Sequence, residues 1–157
     1  MIFVTLGTSK QPFTRLLKEI DRLIDDKIIK EKVIVQSFNE KYTSKNYEII
    51  KMLSKEKYDS YIQKCNIIIT HGGVGTILDG LKAKKAIIAF PRLLKYKEAV
   101  NDHQTQIIET FSTSKFILTG QIKELELLIN QAKEHKIKEF KSNNEKFNNV
   151  ISKLIDE

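Results

Sequence analysis

The chain reveals its architecture in the stretch Asn66-Ile67-Ile68-Ile69-Thr70-His71-Gly72-Gly73-Val74-Gly75-Thr76-Ile77-Leu78-Asp79-Gly80, where an apolar strand runs into a glycine-rich turn that opens directly into a helix. Glycines at such a turn allow positive φ angles and close approach of the backbone to a ligand. The first amides of the helix then present N–H donors and a positive dipole end to an anion. The motif therefore favours a nucleotide or a nucleotide-linked ligand.

This turn differs from two well-known phosphate loops. It has no Gly-Lys-Ser/Thr at the start of the helix, which excludes Walker A, and the Rossmann fingerprint would need a glycine where Leu78 stands. The glycine spacing alone fits a tight connection equally well. Asp79 lies on the first turns of the helix, where a carboxylate can reach ribose hydroxyls or simply compensate the helix dipole. Both interpretations remain open from these residues.

Apolar runs alternate with helical patterns along the rest of the chain. We predict strands at 2–6, 33–37, 47–52, 67–69, 86–90 and 116–119. We predict helices at 13–26 and 54–64 and a third helix from the glycine turn to about residue 82. We expect a fourth helix to begin near Asp102 as its N-cap, and the chain after 121 to be helical. This alternation predicts an α/β fold with a single Rossmann-like parallel sheet and helices on both faces. Ligands of such sheets bind beyond the carboxyl ends of the strands.

Composition limits the function classes. The chain has 157 residues and a net charge of +7, and residues 1–120 carry 20 basic and 13 acidic side chains, so the surplus belongs to the α/β body. Such a surplus fits an anionic ligand or surface, but aromatic residues are not interleaved for base stacking, so we expect no nucleic-acid partner. No apolar run approaches the roughly 20 residues of a membrane helix, and no basic signal region begins the chain, so we expect a cytoplasmic protein.

The cysteine and histidine residues of this sequence show no pattern of a metal site or a reactive thiol. Cys65 precedes an apolar strand and is expected to be a buried thiol. The three histidines and one cysteine show no paired spacing, so no metal and no cofactor are expected.

Three turns are expected to meet at one edge of the sheet. They follow the first strand at 7–9, the fourth strand at 71–76 and the fifth strand at 91–104. A diphosphate would suit the backbone amides, hydroxyl groups and positive charges of these turns. The hydroxyl groups belong to Thr8, Ser9 and Thr76, and the charges to Arg92, Lys95 and Lys97. A sugar would face His103 and Gln104. Alternatively, Thr8 and Ser9 cap the helix near Phe13, His71 is a hydrogen-bonded loop histidine and the cations are solvated.

At these residues the chain resembles a known family. Its similarity to family 28 glycosyltransferase C-terminal domains covers about residues 1–135 and rests on the order and spacing of Phe3-Val4-Thr5-Leu6-Gly7-Thr8, His71-Gly72-Gly73-Val74-Gly75-Thr76-Ile77 and Asn101-Asp102-His103-Gln104. It most resembles single-domain members: the donor-binding subunit of the split UDP-GlcNAc transferase of dolichol-linked oligosaccharide synthesis, and bacterial PssE-like subunits of capsule and exopolysaccharide assembly. The loop from Pro91 to Gln104 favours the bacterial type.

The resemblance implies the roles of individual residues. Gly7 and Thr8 would border the diphosphate of a UDP-sugar, residues 73–76 would cradle it, and Asp79 would contact the ribose, although larger relatives carry Glu there. Gln104 would hold the donor sugar, with His103 beside it. The full set of expected donor-binding residues is Gly7, Thr8, His71, Gly72, Gly73, Val74, Gly75, Thr76, Asp79, Arg92, His103 and Gln104.

The resemblance also implies that a second subunit supplies the other half of the enzyme. GT-B enzymes have two Rossmann-like halves with the active site between them, and this chain corresponds to the C-terminal half: a donor-binding domain at 1–135 and a C-terminal helix at 136–157 that packs on the domain or on a partner. A membrane-anchored acceptor-binding subunit would supply the acceptor site and the general base, and would hold this chain at the inner membrane face. The resemblance implies no particular catalytic residue in this chain.

The implied reaction is an inverting, metal-independent transfer of a hexose from a UDP-sugar to a lipid-linked glycan acceptor in capsule or exopolysaccharide assembly. Two alternatives stay open: a UDP-GlcNAc transferase subunit of lipid-linked oligosaccharide synthesis, and a non-catalytic regulatory protein that binds nucleotide sugars. The identity of the hexose stays open as well.

Overall fold

The structure is a computed structural model that describes residues 1–38 and 41–134, together with Asn149 and Ser152. Strands and helices alternate along the described chain. Their bounds are β1 Ile2–Thr5, α1 Thr14–Asp25, β2 Val33–Gln36, β3 Ile49–Ile50, α2 Lys55–Lys64, β4 Ile67–Thr70, α3 Val74–Lys82, β5 Ala86–Ala89, α4 His103–Thr113 and α5 Leu125–Glu134. Within the same residues, none of the helices has the length and apolar character needed to span a membrane.

The sheet is parallel throughout, with the strand order β3-β2-β1-β4-β5. Ile2 of β1 pairs with Val33 of β2 on one side and with Ile67 of β4 on the other. The chain therefore reverses its direction of winding next to β1, and the loops after β1 and β4 diverge there. Open α/β sheets bind their ligands at such a switch point, beyond the carboxyl ends of the strands.

Four of the five strands, β1, β2, β4 and β5, contribute apolar side chains to both faces of the sheet. Ile2 and Val4 belong to a buried cluster with α1 and α5, whereas Phe3 belongs to a second cluster with α2, α3 and α4. A strand that is buried on both faces has a continuous apolar sequence, which explains why nearly all residues of β1 and β4 are apolar. The predicted parallel sheet with helices on both faces is confirmed. The apolar stripe of α5 lies in the first cluster: Leu125, Leu128, Ile129 and Ala132.

Three details differ from the sequence predictions or lie beyond them. The predicted strand at 116–119 is reduced to a single bridge between Leu118 and Ile88, because the chain turns into a 3₁₀ helix at Ile122–Glu124 shortly afterwards. Asp102 occupies the N-cap position of α4 but makes no side-chain cap, since its carboxylate accepts from the amide of Leu94 at 3.0 Å. The apolar stripe predicted at 140–155 and the proposed C-terminal helix fall outside the described residues, apart from two positions in helical conformation.

Candidate functional site

A cleft of about 450 Å³ opens at the switch point, beyond the carboxyl ends of the strands. Its lining residues lie at the ends of β1 and β2, in the segments after β1 and β3, or on α2 and α3: Thr5, Gly7, Thr8, Gln36, Met52, Leu53, Lys55, Tyr58, Gly75, Thr76 and Asp79. Five of the twelve predicted donor-binding residues are among them. The structure therefore brings the loop after β1 and the first turns of α3 together, as the parallel sheet predicts. We call this space the first cleft.

At one end of the first cleft, two glycine turns pack on the same histidine ring. A Cβ atom on Gly7 would lie 2.9 Å from Cε1 of His71, and a Cβ on Gly73 would lie 3.0 Å from it. Gly7 also has a φ of 67°, in the region that favours glycine. The imidazole thus fills the space that the absent side chains leave, and it holds the two turns at a fixed separation. This packing favours a positioning role for His71.

The surroundings of His71 keep its ring neutral. Burial lowers the pKa of His71 to about 4, and the positive charge of Arg92 adds to this effect, while a hydrogen bond with the Thr5 backbone opposes it. A neutral imidazole adds no charge to the first cleft at neutral pH. Any attraction for a diphosphate must therefore come from other groups.

The depressed pKa of His71 predicts a loss of stability in mild acid. An unfolded histidine takes up its proton near pH 6.5, whereas the folded protein resists protonation until about pH 4. Because the unfolded state binds more protons between these values, the free energy of unfolding should fall by roughly 1–3 kcal/mol as pH drops from 6.5 to 4. Urea unfolding at several pH values should show that His71→Asn lacks this component. His103→Asn, at an exposed side chain, is the matched control, and an identical pH dependence in both variants would contradict the prediction.

The amino end of α3 supplies anion-binding groups. Gly73 is the N-cap, and the first helical hydrogen bond runs from the amide of Ile77 to the carbonyl of Gly73 at 3.1 Å. The amides of the three residues between them therefore point out of the end of the helix, where the dipole is positive. Gly75 is exposed, and a Cβ there would meet nothing within 4 Å. Its missing side chain leaves room for a ligand next to these amides.

The other end of the first cleft combines polar groups with apolar surface. The hydroxyl of Tyr58 donates to Oγ1 of Thr76 at 3.3 Å. Burial raises the pKa of Tyr58, and the neighbouring Asp79 carboxylate adds to that rise. Met52, which is 60% exposed, and Leu53 border the same space. A carboxylate suits ribose hydroxyls, and exposed apolar side chains suit the face of a base.

Gln36 connects the two ends of the first cleft. Its side-chain amide donates to the carbonyl of Gly7 at 3.0 Å and to the carbonyl of Lys51 at 3.1 Å, and its oxygen accepts from Oγ1 of Thr5 at 2.9 Å. The side chain is buried. One residue at the end of β2 thus fixes the loop after β1 relative to the segment after β3.

Several lining residues escaped the sequence predictions, namely Thr5, Gln36, Met52, Leu53, Lys55 and Tyr58. The usable signal was topological, since the segments after the second and third strands also emerge at the carboxyl edge of a parallel sheet. Residue type gives no signal for Met52, because exposed apolar side chains are common on protein surfaces, nor for Leu53, which is partly buried against the core.

Arg92 lies inside the protein, which corrects the expectation that its charge faces the diphosphate. The residue is 1% exposed. Its guanidinium donates to the carbonyls of Leu6, at 2.9 Å, and of Gln11, and it lies 5.2 Å from the centre of the Phe13 ring. Both carbonyls belong to the loop between β1 and α1. Arg92 therefore stabilises the loop that borders the first cleft.

The remaining predicted residues surround α4 and the glycine turn. Oε1 of Gln104 accepts from the backbone amide of Arg92 at 3.0 Å, which ties α4 to the loop after β5. Gly72 has a φ of 89°, and a Cβ there would lie 2.7 Å from the side chain of Ile108. His103 is exposed at the start of α4. Neither His103 nor Gln104 lines the first cleft, and their contact with a sugar stays a prediction.

The loop after β1 does not cap α1 through its hydroxyl groups. Phe13 occupies the N-cap position of α1 without a side-chain cap, and Oγ of Ser9 donates to the side chain of Gln11 at 2.8 Å. The alternative in which Thr8 and Ser9 serve as helix caps is therefore wrong.

The sheet order and the position of the first cleft define a Rossmann-like domain of the kind that forms the C-terminal half of GT-B glycosyltransferases. Residues 1–155 match the glycosyltransferase family 28 C-terminal domain, and the chain belongs to this family. The resemblance seen in the sequence is thereby confirmed.

Individual relatives agree with this assignment. The chain is 26% identical over 99 residues to the UDP-N-acetylglucosamine transferase subunit ALG13 of Candida albicans, a match that covers 63% of this chain and 32% of that protein. It thus spans about a third of that curated relative. The NMR structure of ALG13 matches 95% of this chain and 93% of its own, with a TM-score of 0.60 and 18% identity. The glycosyltransferase SnogD from Streptomyces nogalater matches 83% of this chain and 33% of its own, with a TM-score of 0.58 and 17% identity.

Proposed function

We propose that this chain is the UDP-sugar-binding catalytic subunit of a two-component inverting glycosyltransferase that transfers a hexose to a lipid-linked acceptor in capsule or exopolysaccharide assembly. The observation that carries the proposal is the first cleft. It has helix amides beside the open space at Gly75 at one end, and Asp79 with Tyr58 and exposed Met52 at the other. A diphosphate at the first end and a nucleoside at the second match these groups. Family membership supports the transferase class.

The proposed reaction is a direct displacement at the anomeric carbon. An acceptor hydroxyl attacks this carbon from the face opposite the leaving group, and its proton passes to a general base. The bond from the anomeric carbon to the β-phosphate oxygen breaks, and UDP leaves with the bonding electrons. The amides and dipole at the start of α3 would stabilise the charge that develops on the diphosphate. The proposal requires no metal ion and no cofactor.

A second polypeptide completes the proposed enzyme. The described sheet is one Rossmann-like unit, and the resemblance to GT-B enzymes implies a second such unit across the active site. The curated relative from Candida albicans is named as a subunit. We therefore infer a membrane-anchored partner that binds the acceptor, carries the general base and holds this chain at the cytoplasmic face of the membrane.

The closest alternative concerns the sugar and the acceptor. The name of the curated relative favours a UDP-GlcNAc transferase subunit of lipid-linked oligosaccharide synthesis. A non-catalytic protein that binds nucleotide sugars in the first cleft is the other alternative. Both share the donor site with the main proposal, so a transfer assay distinguishes them.

Reconstitution tests the proposed function. The purified chain should bind UDP-Gal, UDP-Glc or UDP-GlcNAc, and should transfer sugar only when combined with its acceptor-binding subunit and a lipid-linked acceptor. Asp79→Asn should raise KM for the sugar donor by about tenfold, because hydrogen bonds to a charged group contribute roughly 1.5–3 kcal/mol. Radiolabelled transfer to the lipid fraction measures the dependence on the acceptor-binding subunit and the change in KM.

Asp26→Asn is the matched control for this experiment, since Asp26 is an exposed carboxylate next to α1 that pairs with Arg22 on the surface. It should leave KM unchanged. Transfer restricted to UDP-GlcNAc would favour the oligosaccharide alternative, and tight binding without turnover in the complete complex would favour the regulatory one. Full activity of the isolated chain would contradict the two-component proposal.

A further inference from the structure

A second cleft of about 530 Å³ lies next to the carboxyl end of β5. It is formed by the start of α1, the loop after β5 and the turn before α5, and is lined by Arg15, Phe90, Pro91, Leu93, Lys95, Tyr96, Gly120, Gln121, Ile122 and Lys123. None of these residues lines the first cleft. Three of them are cations and none is acidic, while the neighbouring carboxylate of Glu124 accepts from the amide of Gln121 at 2.7 Å. The second cleft is therefore a separate space at the same edge of the sheet, and its lining carries a surplus of positive charge.

The guanidinium of Arg15 is held in place. Its Nε donates to the carboxylate of Glu98 at 2.6 Å, and its NH2 group donates to the carbonyl of Pro91 at 3.0 Å. It also lies 4.6 Å from the centre of the Tyr96 ring. Glu98 is 5% exposed and also accepts from the amide of Leu93. The carboxylate therefore lies beneath the loop, and the charge that faces a ligand comes mainly from the exposed Lys95 and Lys123.

Tyr96 of the second cleft and two further apolar side chains of the same loop are exposed. Tyr96 is 52% exposed, Leu94 is 53% exposed and Val100 is 76% exposed, all on the loop between β5 and α4. Internal hydrogen bonds hold the loop, since the amides of Leu93 and Leu94 donate to Glu98 and Asp102. Single exposed apolar side chains are ordinary, but three on one short ordered loop are a candidate contact surface. Together with Lys95, they match a ligand that has an anionic head and an apolar tail.

We propose that the second cleft binds the phosphate or pyrophosphate group of an amphiphilic acceptor whose glycan is bound by the partner subunit. Lys95 and Lys123 would face the anion, and Tyr96, with the exposed Leu94 beside it on the same loop, would face the apolar chain. This inference deepens the proposed function and rests on it for the identity of the ligand as an acceptor. Both clefts open at the carboxyl edge of one sheet, one beside β1 and β4 and the other beside β5. A phosphate held in the second cleft would bring the acceptor to the edge where the donor binds.

The binding test uses inorganic pyrophosphate and the full chain saturated with UDP, so that the first cleft is filled. Calorimetry should show that the double variant Lys95→Gln/Lys123→Gln binds pyrophosphate at least about tenfold more weakly than the wild type, because two charge-assisted contacts are lost. The control Lys18→Gln/Lys30→Gln removes the same charge from exposed positions that line neither cleft. It should bind pyrophosphate like the wild type. Equal weakening in both double variants would overturn the proposal.

A second arm distinguishes a lipid headgroup from free phosphate. The wild type should bind phosphatidylcholine vesicles that contain a polyprenyl phosphate, and should not bind vesicles of phosphatidylcholine alone. Leu94→Ser removes an exposed apolar side chain that makes no ion pair, and it should weaken vesicle binding without changing pyrophosphate affinity. Pyrophosphate binding without any vesicle binding would overturn the lipid part of the proposal.

The two proposals fail in different ways. Loss of UDP binding in Gly75→Val with pyrophosphate binding retained would support two separate sites. If the wild type binds no pyrophosphate, and Lys95 and Lys123 are instead covered by the acceptor-binding subunit, the second cleft is a protein docking surface and the proposal is overturned. The proposed donor function would be unaffected by that result.

Discussion

Gly75→Val should lower the affinity for UDP about a hundredfold, equivalent to about 3 kcal/mol. Gly75 lines the first cleft at the amino end of α3, and a Cβ there would meet no atom within 4 Å. The added isopropyl group would therefore occupy space that the proposed diphosphate needs, and it would keep the phosphate oxygens away from the helix amides. Isothermal titration calorimetry with UDP and UDP-sugars measures the loss.

Folding should not suffer from the same substitution. Valine is a better helix former than glycine, so the melting temperature should stay at or slightly above the wild-type value. Gly80→Ala in the same helix is the opposite case, because its Cβ would lie 2.8 Å from Ile87 and 2.9 Å from Ile68. That control should lower the melting temperature and leave UDP affinity unchanged. Unchanged UDP affinity in Gly75→Val would remove the first cleft as the donor site.

The three glycines of the turn show which part of the site the sequence could predict. Their position between an apolar strand and a helix was sufficient to predict the turn and its place at the sheet edge. Their separate tasks depend on distant residues: Gly72 packs on Ile108 of α4 and Gly73 packs on a histidine ring, whereas Gly75 faces open space. Local spacing carries no information about these neighbours, so the glycines looked equivalent in the sequence.

Buried charge was harder to predict than the fold. Arg92 follows a strand in a loop rich in lysine, where a solvated or ligand-facing cation is the ordinary expectation. Its actual partners are the carbonyls of Leu6 and Gln11, which lie 86 and 81 residues away in sequence. The role of Gln36 is hard to predict for the same reason, because its hydrogen bonds join segments that only the sheet order brings together. The strand pattern predicts which edge holds the site, but the partner of each polar side chain depends on the packed structure.

Arg92→Met should reduce the free energy of unfolding by about 3 kcal/mol, since buried carbonyls that lose a charged donor are costly. Methionine fills part of the volume but donates no hydrogen bond to Leu6 or Gln11. Urea unfolding should show a lower midpoint with an unchanged slope. Arg22→Met, at an exposed helical arginine with surface ion pairs, is the matched control and should cost less than about 1 kcal/mol.

A second readout separates the loop-positioning role of Arg92 from a general loss of packing. The charge of Arg92 helps to depress the pKa of His71, so NMR titration of the folded variant should show a His71 pKa above about 4. UDP affinity should also fall, because the loop that contains Gly7 loses its support from the guanidinium. Arg92→Lys should retain the depressed pKa, since it keeps the charge, yet remain destabilised because one ammonium cannot reproduce the planar fork. A stable Arg92→Met variant with an unchanged His71 titration would show that neither the loop nor the imidazole depends on this buried charge.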